Sequence, residues 1–319
     1  MATAAAVAMI GSTLAISSAA SAGTGVTAPT PERFSGADRY ATAADVASFL
    51  DYSTLTIVNG ENFPDGLASA IFDDAILLTK ADSIPSATAD WLQANCGDAG
   101  AEVGTITVIG GVDAVSSAVF EALGECAPVT RIAGTNRYET AIAVAEGYAN
   151  RNEQYPTTII LATGENFPDA LAAGPLAIAK SAPIILNNGD SLRADVAAYL
   201  DANPTITGVY VVGGETVISA EIEAELAGPR GMNVTRLAGA TRADTAVAIA
   251  EELHANNTTD AVVLVNGSGF ADALSAGVLA YNFNTTAPIL LVNADSIPAA
   301  TAAWHTTNCN TIQFVAVVG

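Results

Sequence analysis

The sequence predicts three tandem α/β domains, each a small parallel sheet flanked by helices. One arrangement of segments recurs with a period of about one hundred residues, too long for a solenoid repeat and right for a domain. Within each copy, short apolar runs alternate with amphipathic segments that open on helix caps. The runs lack the polar alternation of a half-exposed strand, so they suit parallel strands covered on both faces.

The copies are marked by four elements in fixed order. The first is Arg33-Phe34-Ser35-Gly36-Ala37-Asp38-Arg39-Tyr40, with counterparts starting at Arg131 and Arg236. Next come Gly60-Glu61-Asn62-Phe63-Pro64-Asp65, Gly164-Glu165-Asn166-Phe167-Pro168-Asp169 and Gly267-Ser268-Gly269-Phe270-Ala271-Asp272. An apolar triplet follows: Ile76, Leu77, Leu78; Ile184, Ile185, Leu186; Ile289, Leu290, Leu291. Val108-Ile109-Gly110-Gly111 and Val211-Val212-Gly213-Gly214 come last, and the third copy stops at Val317-Val318-Gly319.

Each copy resolves into elements in turn. Asn136 caps a helix, with Glu139 as the reciprocal carboxylate, and Thr241 and Asp244 repeat the device. Ala141, Val144, Ala145 and Tyr148 fall on one face of that helix. A buried strand follows at 158–161, with equivalents at 55–58 and 261–265. Pro64 or Pro168 then stands in the first turn of a helix, where it forfeits no hydrogen bond, and Asp65 or Asp169 meets the positive helix end. The triplet is the second strand, and helices capped by Ser83, Ser191 and Ser296 come after it. Residues 105–109 form a third strand, 115–123 and 218–226 helices, and 129–132 and 234–237 the fourth strand. Right-handed crossovers join such strands into one parallel sheet per copy. Lacking the last helix and strand, the third copy is expected to leave a sheet edge uncovered, and Gly319 is not expected to be the natural end.

The resulting division is a signal peptide at 1–22, a linker at 23–31 and repeats at 32–127, 128–233 and 234–319, the last incomplete. The signal rests on the Ala-rich apolar stretch from Ala4 to Ile16 and the small residues ending Ala20-Ser21-Ala22, although no Lys or Arg precedes it. Export permits disulfides. Cys96 and Cys126 lie together in copy one; Pro204 and Gly231 stand near those places in copy two; Cys309 follows Asn308 as Cys96 follows Asn95. This pattern predicts a Cys96–Cys126 bridge with Cys309 free.

Composition narrows function. The net charge is −22, with 33 acidic against 11 basic residues, which excludes nucleic acid as a partner because phosphate neutralisation needs clustered Lys and Arg. After signal cleavage no segment is apolar enough to span a membrane. The Gly-Gly pairs match neither the dinucleotide fingerprint nor the P-loop, so tight turns account for them, and no cofactor is implied. His254 and His305 occur only in copy three, and no nucleophile elbow is present, so no enzyme site is expected. Asp65, Asp169 and Asp272 supply one carboxylate per copy, fitting helix N-terminal charge better than a metal. Six of the eleven basic residues, Arg33, Arg39, Arg131, Arg137, Arg236 and Arg242, stand in the repeated Arg-x-x-Gly-x-x-Arg element. Either they pair with carboxylates and helix-end carbonyls, or they present a local positive site to anionic groups.

The four elements in this order resemble the cell wall binding repeat 2 family over residues 33–319. The resemblance implies flavodoxin-like domains in a pseudo-threefold arrangement and a non-covalent anchor for exported or S-layer-associated proteins, with an anionic cell-wall glycopolymer and S-layer proteins as partners. It implies that the triplets Ile76, Leu77, Leu78, Ile184, Ile185, Leu186, Ile289, Leu290 and Leu291 help bind the polymer, and Arg39, Arg137 and Arg242 of the arginine element join them as candidates. From the residues alone the triplets read as buried strand. Copy one has a shortened approach to its triplet, and copy three has Ala243 for Tyr, Ser268-Gly269 for Glu-Asn and Ala271 for Pro. The leading reading is a secreted, non-enzymatic wall anchor. The alternatives are the targeting region of a wall hydrolase or protease whose catalytic domain lies beyond residue 319, and an S-layer assembly component.

Overall fold

A computed structural model describes residues 29–50, 52–62, 64–96, 103–166, 169–254, 259–283 and 286–319. The expected signal peptide and most of the linker lie outside the described residues. The chain runs β1 (Glu32–Phe34), α1 (Arg39–Phe49), β2 (Thr54–Asn59), α2 (Pro64–Leu67), a 3-10 turn (Ser69–Phe72), β3 (Ala75–Thr79), α3 (Ser86–Asn95), β4 (Thr105–Ile109), α4 (Ser117–Leu123) and β5 (Val129–Ile132). It continues through α5 (Arg137–Asn152), β6 (Thr158–Thr163), a 3-10 turn (Ala170–Ala173), α6 (Gly174–Lys180), β7 (Ile184–Asn187), α7 (Ala194–Ala202), β8 (Gly208–Val212), α8 (Ala220–Ala227) and β9 (Asn233–Leu237). The last stretch is α9 (Arg242–His254), β10 (Ala261–Asn266), α10 (Ala271–Tyr281), β11 (Ile289–Val292), α11 (Ala299–Asn308) and β12 (Phe314–Val318).

These strands form three parallel four-stranded sheets, ordered β3-β2-β4-β5, β7-β6-β8-β9 and β11-β10-β12-β1. The chain order of strands, second-first-third-fourth, is the flavodoxin-like one. The third sheet closes on the start of the chain: β1 pairs with β12, Arg33 opposite Val317, as Arg131 lies opposite Val108 and Arg236 opposite Val211. The expected uncovered edge is therefore filled, because β1 supplies the strand that β5 and β9 supply elsewhere. Each Arg-x-x-Gly element thus begins in the sheet of one unit and opens the first helix of the next. Three units linked this way form a ring.

Local chemistry sets the helix starts. Asn136 accepts from the Tyr138 and Glu139 amides, at 3.0 Å each, and Asp38 does the same for Tyr40 and Ala41. Helices α3, α7 and α11 start later than the serines suggested, with Pro85, Arg193 and Pro298 at the cap positions and no side-chain cap bond. Ser83, Ser191 and Ser296 instead offer carbonyls to the turn after each triplet strand, accepting from Lys80, Asn187 and Asn293.

Packing follows the strand period of two. Leu77, Ile185 and Leu290 point into the separate cores of their own units. Their flanking residues Ile76 and Leu78, Ile184 and Leu186, Ile289 and Leu291 point the other way, into one core shared by all three units. At the centre of that core Ala70, Gly174 and Gly277, equivalent positions in the three units, meet. A Cβ built on Gly174 would lie 3.1 Å from the Gly277 Cα and 3.4 Å from the Ala70 Cβ. Arg151 of α5 adds a polar tie, holding the buried Asp74 with two 2.7 Å hydrogen bonds, while Asp73 accepts from Tyr52 at 2.9 Å and Asn282 at 3.2 Å. In the first unit Cys96 and Cys126 are joined, and Cys309 is free.

Candidate functional site

The cleft between the first two units is where the sheets offer a site. In an open α/β sheet, ligands favour the carboxyl ends of strands where the chain reverses its order, here between β2 and β4 and their equivalents. Between the first and second units a cleft of roughly 400 Å³ opens there. One wall is Asn59, Asn62, Pro64 and Asp65 together with Gly111, Val112, Asp113 and Ala114; the other is the start of α5, Gly134 to Arg137 and Thr140.

The wall is locked by its own hydrogen bonds. Asn59, the last residue of β2, donates to the Ala114 carbonyl at 2.7 Å and accepts from the amides of Glu61 at 2.6 Å and Asn62 at 3.2 Å. Gly110 turns the chain out of β4 with φ of 110°, as Gly213 does with 107° and Gly319 with 108°. Only glycine takes this conformation without strain. A Cβ on any of the three would also press on the carboxylate of Asp65, Asp169 or Asp272, at 2.7, 3.0 and 2.7 Å respectively.

Those aspartates face the next unit around the ring. Asp65 is hydrogen-bonded by Thr140 and lies in the field of Arg137; Asp169 is held likewise by Thr245 and Arg242; Asp272 lies in the field of Arg39. Burial nonetheless outweighs these partners and raises all three carboxyls above the ordinary carboxylate range. Thr140 and Thr245 also accept from Gly134 and Gly239, and Thr42 from Gly36, which ties the glycine of each Arg-x-x-Gly element to its helix.

The arginines divide by position. The first of each element sits on the fourth strand and grips the Gly-Gly turn: Arg131 donates to Gly110 at 2.6 Å and Val115 at 2.8 Å, Arg236 to Gly213 at 2.7 Å and to Glu223 at 2.7 Å, and Arg33 to Gly319. The second opens the helix, and Arg39, Arg137 and Arg242 donate to the carbonyls of Gly60, Gly164 and Gly267. All six therefore hold backbone carbonyls, and Arg137 also lines the cleft.

Of the candidate arginines Arg137 lines the cleft, Arg242 and Arg39 stand at the equivalent places near Asp169 and Asp272, and the triplets are not among the lining residues. Ile76, Leu77, Leu78, Ile184, Ile185, Leu186, Ile289, Leu290 and Leu291 are all buried. Their side chains fill the shared core and the separate core of each unit, as the buried-strand reading of the residues alone expected. Sequence reasoning passed over Asn59, Asn62, Val112 and Thr140. The repeated Gly-Glu-Asn-Phe-Pro-Asp element held the signal, since its exposed Asn and half-buried Asp stand in one cleft. Among the described residues no group of His, Cys, Asp and Glu suits a metal ion, and no helix is long and apolar enough to cross a membrane.

The profile of cell wall binding domain 2 matches residues 33–120, 131–223 and 236–319, one match per repeat. The chain belongs to the cell wall binding domain 2 family. It is 30% identical over 284 residues to the amidase enhancer of Bacillus subtilis (strain 168), a stretch covering 87% of this chain and 37% of that protein. It is 33% identical over 177 residues to the N-acetylmuramoyl-L-alanine amidase LytC of the same organism, covering 55% of this chain and 33% of that protein. Of solved structures, Cwp6 from Clostridium difficile superposes with a TM-score of 0.77 at 26% identity, covering 92% of this chain and 46% of Cwp6. Cwp8 from the same organism gives 0.75 at 25% identity, covering 90% and 49%. The chain thus spans about a third of the length of these curated relatives. Its three repeats are a cell-wall binding module of a surface or exported protein.

Proposed function

We propose that this module retains its protein, after export, on the cell wall by binding an anionic glycopolymer in the clefts between units. The observation that carries the reading is the cleft itself, open at the strand ends where such sheets bind ligands and built from two units at once. Repetition around the ring lets weak contacts add through simultaneous engagement. The module contributes binding and no chemistry of its own. A second reading, favoured by the two B. subtilis relatives, makes it the targeting region of a wall enzyme.

Long-range attraction does not drive this binding, because a chain of net charge −22 repels a polyanion. Contacts are short-ranged hydrogen bonds and fitted surfaces. Titrating salt in a wall-binding assay tests the point. Raising salt from about 0.05 to 0.3 M screens the repulsion and leaves binding intact or improved; loss of binding by a factor of ten or more contradicts it.

A further inference from the structure

The residues at the three equivalent junctions between units differ. In the first, between units one and two, the lip carries Val112, 60% exposed, and Asn62, whose carboxamide has no hydrogen-bond partner among the described residues. The equivalent of Val112 on the second lip is the exposed Glu215, and the equivalents of Asn62 are Asn166 and Gly269. The first cleft alone therefore pairs an unengaged amide with an exposed aliphatic side chain. Its charged lining is Arg137 against the carboxylates Asp65 and Asp113, so charge does not select an anion there. Arg137 is committed to the Gly164 carbonyl at 2.6 Å and to the field of Asp65.

From this we infer that the first cleft is a carbohydrate subsite that reads an uncharged face of the polymer. Val112 packs on the apolar C–H face of a sugar ring, and Asn62 exchanges hydrogen bonds with its hydroxyl or acetamido groups. The Asn136 carboxamide, whose oxygen caps α5 and whose nitrogen reaches Thr135 at 3.3 Å, forms the opposite wall. The other two junctions add contacts without this specificity, and the acidic groups of the polymer are accommodated by the surrounding solvent. The inference rests on the proposed wall-binding function and assigns its discrimination to one cleft and two residues.

The test compares Asn62→Ala, Val112→Glu and Asn166→Ala for binding to walls isolated from the strain that encodes the protein, with polyphosphate as a sugar-free polyanionic competitor. All three sites are exposed, so thermal melts are expected to match the parent and a binding change is not a folding change. Asn62→Ala and Val112→Glu each weaken binding about tenfold, Asn166→Ala less than twofold, and polyphosphate does not displace the protein. Equal losses in Asn62→Ala and Asn166→Ala overturn the inequality of the junctions, and displacement by polyphosphate overturns recognition of a neutral face. If the parent binds walls and none of the three changes alters binding, the subsite assignment fails while the wall-binding function stands. If the parent itself does not distinguish native from polymer-stripped walls, the function fails first.

Discussion

Phe34 lies in the first copy of the repeat by sequence and in the third sheet by structure, which makes Phe34→Ala a test of the ring. The side chain is 4% exposed, packs edge-on against Phe49 at 5.1 Å and belongs to the shared core. Its backbone carbonyl accepts from the Gly319 amide at 2.9 Å, and the strand around it pairs with Ala316, Val317 and Val318. Truncating a buried Phe costs about 3–5 kcal/mol. The lower end applies here because β1 is a three-residue edge strand beside solvent. A loss of about 3 kcal/mol raises the opening equilibrium roughly a hundredfold, at 1.4 kcal/mol per decade. Native-state hydrogen exchange reads this residue by residue. Amides of β12 exchange about a hundredfold faster in the variant, and amides of β4 in the first sheet remain near parent values. Faster exchange in β4 with β12 unchanged would refute the closure of the third sheet by the first strand.

Gly174→Val forces a branched side chain against the Gly277 backbone and is expected to destabilise by about 1–3 kcal/mol, whereas Gly111→Ala, whose added Cβ meets nothing within 4 Å, stays near neutral in denaturant titrations. Asp65 has its folded-state pKa raised by burial, so the native state holds that proton more tightly than the unfolded chain. Its contribution to stability therefore grows as pH falls through the folded pKa towards the ordinary carboxylate value, and is absent at neutral pH. Urea titrations between pH 7 and 4 should show the parent gaining on Asp65→Asn as the pH falls; a difference that stays constant or reverses sign contradicts the assignment. Removing the bridge with Cys96→Ser and Cys126→Ser together opens a crosslink spanning 30 residues and costs about 3–4 kcal/mol. Exchange protection should drop in the first unit and hold in the third.

Much of the fold was legible because it is written in local patterns. The strands at 105–109 and 129–132 have the bounds their apolar runs suggest, and Asn136 caps α5 as its side chain predicts. The helices after the triplets were placed early because serine is a good cap in general, while here Pro85 and Pro298, with φ already suited to the entry, hold that position. The pairing of β1 with β12 left no local trace, since strand partners nearly the whole chain apart share no pattern a window can detect. The triplets show how far pattern reaches. Their apolar character marks burial, and only the assembled ring shows that alternate members serve different cores. The cleft residues were hidden for a related reason: Asn59 and Thr140 are unremarkable in sequence, Asp65 reads there only as helix N-terminal charge, and all three acquire meaning when one unit's strand ends face the next unit's helix start.

The most direct measurement is retention of the protein on isolated walls of its own strain before and after mild acid extraction of the anionic polymer. Retention on native walls with loss on stripped ones is the expected result. Equal retention on both, or none on native walls by the full-length protein, would contradict anchoring through the polymer.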